Sequence, residues 1–82
     1  MERQFTDTTI KHHRKMAGFK QAEFAEVLGI TPTDLSFIEN KKLFPKLELA
    51  YRIAELLKVT IGYLYAEEEL NLMRFKEEGK KW

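Results

Sequence analysis

The stretch QAEFAEVLGITPTDLSFI, residues 21–38, decides how this chain reads. It predicts a helix, a tight turn at Gly29, and a second helix that opens at Thr31. Gly29 can take the left-handed conformation such a turn needs. Ala25 is small enough to let the second helix approach closely. Leu35 and Ile38 fall at helical spacing and would lock the pair onto a shared core. Two short helices fixed at a steep angle in this way serve, as a rule, to present one of them to the DNA major groove.

Outward from that pair the pattern stays helical. A first helix is expected over about 8–17, capped by Asp7 or Thr8 and ended by Gly18, with residues 1–6 as a loose lead-in. The second, over 21–28, turns Phe24, Ala25 and Leu28 inward. For the third, over 32–39, Thr31 is a strong N-cap and Pro32 suits the first helical position. Asp34 makes the opening resemble a capping box, T-x-x-D, and Asn40 tolerates a left-handed end. A polar loop with Pro45 leads to a fourth helix over about 47–57. Leu47, Ala50, Tyr51, Ile53, Ala54 and Leu57 would be its inward residues. Thr60 would cap a fifth over 61–66, with Ile61, Leu64 and Tyr65 inward. Beyond it, Leu70 and Met73, with Leu72 and Phe75, suggest an apolar stripe on a helical tail. That tail either packs on its own domain or makes a dimer contact, and residues 79–82 are expected to fray. No run alternates as a strand would. The expected fold is all-α: a compact four- to five-helix domain over residues 1–66 with a C-terminal helical extension over 67–82.

Composition narrows the function. With 82 residues, 44% of them hydrophobic, the chain suits one modest globular domain. There are no cysteines, so there is no disulfide framework and no thiolate metal site, as in a reducing cytoplasm. The first ten residues hold no apolar run that reads as a secretory signal, and no stretch approaches a membrane span. Net charge is +1, from 14 basic and 13 acidic residues, but its distribution is uneven. Lys11, Arg14, Lys15 and Lys20 have no acid among them, and Lys41, Lys42 and Lys46 form a second cluster. Acids gather at Glu67, Glu68 and Glu69. A basic face and an acidic end can therefore coexist. No phosphate-binding glycine loop, zinc-protease motif or serine-hydrolase elbow is present. His12 and His13 are adjacent, so on a helix they should point apart and make a poor metal pair. The reading is non-enzymatic, without cofactor or metal.

With these residues in register, the chain resembles the Cro/repressor-type (xenobiotic-response-element type) helix-turn-helix domain, a lambda-repressor-like fold, over roughly residues 10–65. Ile10, Arg14, Gly18, Phe19, Gln21, Glu23, Phe24, Ala25, Leu28, Gly29, Ile30, Thr31, Leu35, Ser36, Ile38, Glu39, Asn40, Pro45, Leu47, Glu48, Ile53, Ala54, Leu57, Val59 and Leu64 carry the likeness. The resemblance implies that Gln21 opens the second helix and contacts phosphate, aided by helix-terminal N–H groups. It implies that Arg14 and Glu39 form an ion bridge between the first helix and the end of the third, serving orientation more than net stability. It places Pro32, Thr33 and Phe37 toward base edges, with Thr31, Asp34, Ser36 and Asn40 flanking and Lys41 and Lys42 following.

Three departures from the family pattern matter. Lys20 replaces the threonine or serine that caps the second helix, exchanging a capping bond for a charge that reaches phosphate. Lys41 stands where glycine is common, so it or Asn40 must accept a positive φ. His13 stands where a core leucine is common and is expected to pack, partly buried, by its ring. The third helix also lacks the Arg, Lys, Gln or Asn that would bond bidentately to a base. Thr33 can instead touch a base by its hydroxyl or methyl, Phe37 can pack on a thymine methyl and Ser36 can give one hydrogen bond, which favours shape-dependent readout of A·T-containing sites. The expectation is a DNA-binding regulator of transcription, a repressor of bacterial, phage or mobile-element origin, acting as a homodimer on a near-palindromic duplex. The alternative is a protein-interaction module on the same scaffold, an antitoxin subunit or a phage factor that engages a host regulator, with Phe37 as the docking aromatic.

Overall fold

The computed structural model describes residues 9–79, with side chains through Phe75. The expected cap at Asp7 or Thr8, the lead-in before it and residues 80–82 of the end expected to fray lie outside the described residues; Gly79, the first of that end, is helical. Six helices follow one another: α1 Thr9–Met16, α2 Gln21–Leu28, α3 Pro32–Glu39, α4 Leu47–Leu57, α5 Ile61–Leu64 and α6 Glu67–Gly79. Among the described residues there is no strand. The chain divides between Leu43 and Phe44 into two compact units.

The first unit holds α1, α2 and α3. Gly18 (φ 86) and Gly29 (φ 77) both take the left-handed conformation, and these two residues separate the three helices. At Gly29 the requirement is the backbone angle alone, since no atom lies within 4 Å of where a Cβ would stand. Two N–H groups close the turn: Gly29 donates to the Glu26 carbonyl at 3.1 Å and Ile30 to that of Ala25 at 3.0 Å. Ile10, Phe24, Ala25, Leu28, Leu35 and Ile38 are buried. The Phe19 and Phe24 rings pack 5.0 Å apart. His13 is half-buried, as the sequence suggests. Its ring does not point away from His12, however. The two meet edge-on with centroids 5.3 Å apart, because ring reach exceeds the divergence of adjacent Cβ atoms.

The second unit holds α4, α5 and α6. On α4 the buried residues are Ala50, Ile53, Ala54 and Leu57. Tyr51, expected inward, is 53% exposed. It sits about 100° round the helix from Ala50, just off the apolar stripe. Lys58 ends α4 in the left-handed region (φ 61). Its N–H donates to the Glu55 carbonyl at 3.1 Å, and that of Val59 to the Ala54 carbonyl at 3.0 Å, so the orphan carbonyls are satisfied by a lysine where glycine is commoner. Thr60 caps α5, its Oγ1 accepting from the Tyr63 N–H at 3.2 Å. The fifth helix stops at Leu64, two residues short of expectation, because Tyr65 turns extended (φ −132, ψ 137). Ala66 then opens α6 with its N–H donating to Glu69 Oε1 at 2.8 Å.

The apolar tail residues divide. Met73 is fully buried, whereas Leu72 and Phe75 are 55% and 63% exposed. Leu70 is half-buried. The expected single stripe is thus two faces, since Leu72 lies about 100° from Met73 on the helix.

Tyr65 is almost fully buried, and its ring lies 6.2 Å from that of Phe44. Burial pushes its phenol well above the ordinary value of 10.0, and the neighbouring Glu69 carboxylate adds to the shift. The folded chain therefore keeps this proton at pH values where the unfolded chain releases it. The contribution is complete below pH 10.0 and is lost as pH rises above it. Urea titrations between pH 8 and pH 11 should show stability falling in the upper part of that range. The fall attributable to Tyr65 should approach about 1.4 kcal/mol per pH unit. The variant Tyr65→Phe should lack that component and lose less stability at high pH.

Candidate nucleic-acid interface

The site is built around α3. Thr31 is extended (φ −83, ψ 155), and its Oγ1 accepts from the Asp34 N–H at 3.0 Å. Pro32 occupies the first turn, where its missing N–H is no loss. The inward side of α3 is Leu35, Ile38 and Glu39, all buried, and α3 packs on α2, whose Ala25 is fully buried. The outward side carries Pro32, Thr33, Asp34 and Phe37, with Ser36 half-buried. Phe37 is 45% exposed.

The end of α3 is shaped by a lysine. Asn40 stays near the helical region (φ −93), and Lys41 takes the positive φ of 60. Of the two residues the sequence offered for that role, the lysine fills it. Asn40 turns its side chain back, Nδ2 donating to the Ser36 carbonyl at 2.9 Å. Lys42 donates its N–H to the Phe37 carbonyl at 2.8 Å. This fold-back sets half-buried Lys41 and exposed Lys42 directly after the helix.

At the other edge, Lys20 is exposed before α2. Its N–H donates to the Glu23 carboxylate at 3.0 Å. Half of a capping box therefore survives although lysine offers no accepting oxygen. The K-x-x-E spacing carried that signal, and sequence reasoning missed it.

Arg14 and Glu39 meet. Arg14 Nε donates to Glu39 Oε2 at 2.5 Å, with side-chain exposures of 6% and 1%. Arg14 Nη1 also donates to the Phe19 carbonyl at 2.8 Å. Gln21 joins them, its Nε2 donating to Glu39 Oε1 at 3.1 Å. Both carboxylate oxygens are thus held, and one anion ties α1, the loop after it, the start of α2 and the end of α3. This link from Gln21 was not anticipated. It turns the carboxamide partly inward and leaves its second N–H for other partners.

Among the described residues, no three His, Cys, Asp or Glu side chains are placed to share a metal ion. Nor is any described helix long and apolar enough to cross a membrane.

Residues 10–64 match the helix-turn-helix family. The chain belongs to that family, in its Cro/repressor-type branch of transcriptional regulators. An uncharacterized HTH-type transcriptional regulator of Methanothermobacter thermautotrophicus is 42% identical over 50 residues, which cover 61% of this chain and 72% of the relative. A protein of the same description from Archaeoglobus fulgidus is 34% identical over 65 residues, covering 77% of this chain and 93% of the relative. The ImmF control region 10 kDa protein of Bacillus phage phi105 is 39% identical over 59 residues, covering 72% of this chain and 66% of the phage protein. No solved structure matches the chain significantly. Members of this family are typically not enzymes.

Breaking the buried pair from one side should be costly. The variant Arg14→Met strands a buried carboxylate and should lower unfolding free energy by about 3–5 kcal/mol in urea titrations. The double variant Arg14→Met with Glu39→Leu should recover most of that loss, because no unpaired charge remains.

Proposed function

We propose that the chain binds duplex DNA sequence-specifically as a homodimer and acts as a cytoplasmic repressor of bacterial, phage or mobile-element origin. One observation carries the reading: α3 is seated by Leu35 and Ile38 and keeps Thr33 and Phe37 on its outer side, in a helix-turn-helix chain. The likeness to a phage control-region protein supports the repressor role and the origin.

In this reading α3 of each copy enters a major groove, and the two grooves lie about 34 Å apart on a near-palindrome. Lys20, Lys41 and Lys42 neutralise phosphates, and Gln21 offers its second amide N–H to another. Thr33, Ser36 and Phe37 touch bases, with Phe37 against a thymine methyl. Thr31, Pro32 and Asn40 line the edges of the contact. The domain that does this is residues 1–66, and 67–82 is an extension.

Selection of bound duplexes from a random pool should return a near-palindrome with A·T pairs in each half. Titration at several salt concentrations tests the lysines. The variant Lys41→Gly with Lys42→Ala removes two charges and relieves the positive φ. It should weaken binding to all sequences alike and reduce the salt slope by roughly 1–2. An unchanged slope would remove both lysines from the contact.

The variant Phe37→Ala should act differently. It should change which sites are preferred, weakening binding to the best site while leaving random duplex little changed. Equal weakening everywhere would show that Phe37 reads nothing. Intact DNA binding with loss of a co-purifying protein would favour the docking role instead.

A further inference from the structure

The corner between α5 and α6 holds a cavity of about 290 Å³, lined by Gly62, Tyr65, Ala66, Glu67, Leu70 and Arg74. It lies wholly within the second unit. Drug-sized ligands occupy sites of roughly 300–1,000 Å³, so this one suits a smaller occupant. Glu67, Leu70 and Arg74 recur at spacings of three and four and share one face of α6. Glu67 and Arg74 are opposite in charge and stand two turns apart, roughly 10 Å along the axis. Both are exposed, and no ion pair joins them. Half-buried Leu70 lies between the two charges. Arg74 Nη1 donates to Asn71 Oδ1 at 2.9 Å, which steadies the guanidinium and leaves it donors for a further acceptor. Gly62 leaves part of the wall bare. It lacks the left-handed angle of Gly18 and Gly29, and nothing lies within 4 Å of where its Cβ would stand. The backbone there does not require glycine, so the missing side chain has its consequence in the cavity.

We propose that this cavity binds a small zwitterion, a linear ω-amino acid with an ammonium at one end, a carboxylate at the other and a run of methylenes between them. The carboxylate pairs with Arg74, whose planar donors suit two oxygens at once. The ammonium pairs with Glu67. The methylenes lie along Leu70, which takes apolar surface out of water. Charge selects the occupant at both ends. A simple anion gains nothing from Glu67 and is repelled by it, and a diamine meets Arg74 in the same way. Glycine carries its two charges on adjacent carbons, too close together to serve side chains two turns apart. Both charged walls are exposed, so each pairing is weak and the dissociation constant is on the order of 1 mM. No residue of α3 takes part, so the proposal holds whether or not the chain meets DNA.

The test is titration of the full, isotope-labelled chain with 6-aminohexanoate at fixed pH and ionic strength, followed by amide NMR shifts. Saturable shifts should centre on Gly62, Ala66, Leu70 and Arg74. Hexanoate and hexylamine each keep one of the two charges and should bind about fivefold more weakly, the worth of one exposed ion pair. Glu67→Gln and Arg74→Gln should each weaken 6-aminohexanoate by a similar factor. Arg74→Gln should leave hexylamine binding unchanged, and Glu67→Gln should do the same for hexanoate, which a merely structural role for either residue would not produce. Gly62→Leu replaces a poor helix former and fills the bare wall, so it should remove the shifts while circular dichroism shows the helices intact. Absence of saturation at tens of millimolar overturns the proposal. So does binding indifferent to both Glu67→Gln and Arg74→Gln, which keep the proposal open to refutation if Gly62→Leu fails to fold. Hexanoate or hexylamine binding as tightly as 6-aminohexanoate overturns it as well.

Discussion

The Glu39 carboxylate is the point on which the first unit is organised. It is buried, it is charged, and both its oxygens are engaged, one by Arg14 and the other by Gln21. Taking an ion pair out of water costs several kcal/mol per charge before attraction returns any of it. A leucine in the same place would satisfy the core with less demand. What a leucine lacks is direction. The carboxylate accepts only along its lone pairs, so it fixes where the end of α3 lies relative to α1 and to the start of α2. Arg14 extends the constraint by donating to the Phe19 carbonyl, which pins the loop between α1 and α2. The pair thus contributes orientation of α3 more than net stability.

That constraint works because the α2–α3 corner is small. Ala25 is fully buried, and Gly29 supplies a left-handed turn that a branched residue could not adopt without strain. The same freedom is absent at two other corners. Lys41 and Lys58 both hold φ near +60, at 60 and 61, a conformation costly for a residue with a Cβ. At Lys41 the result is a cation immediately after α3. At Lys58 the helix-end carbonyls are satisfied, and nothing among the described residues explains the choice of lysine.

Much of the fold was legible because its signals are local. Thr31 and Thr60 sit where a hydroxyl must meet an N–H three residues on, and both do. The all-α class, the order of the helices and the inward residues of α2 and α3 follow from periodicity and caps. Legibility failed where a decision belongs to tertiary packing. Tyr51 and Leu72 are apolar and lie about 100° from a buried neighbour, so periodicity alone could not say on which side of the boundary each falls. Tyr65 left the helix because burying its ring outweighed one more helical residue. The site shows the same division. Arg14 and Glu39 were legible through resemblance. The turn of Gln21 toward Glu39 was not, because a long amide side chain has several reachable partners and only the assembled helices choose among them.

The chemistry of α3 sets how such a protein must reach useful affinity. Its outer side offers a phenylalanine, a threonine and a half-buried serine, and none of these makes the bidentate bond that yields about 1–3 kcal/mol per base. The net charge of +1 adds little long-range attraction, so backbone contacts depend on a few placed lysines rather than on a general field. One such half-site is weak. Two held by a single dimer convert the second encounter into an intramolecular one, and affinity then rises without any new contact to DNA. In the proposed dimer, the contact between copies would therefore govern occupancy of the duplex as strongly as any base contact.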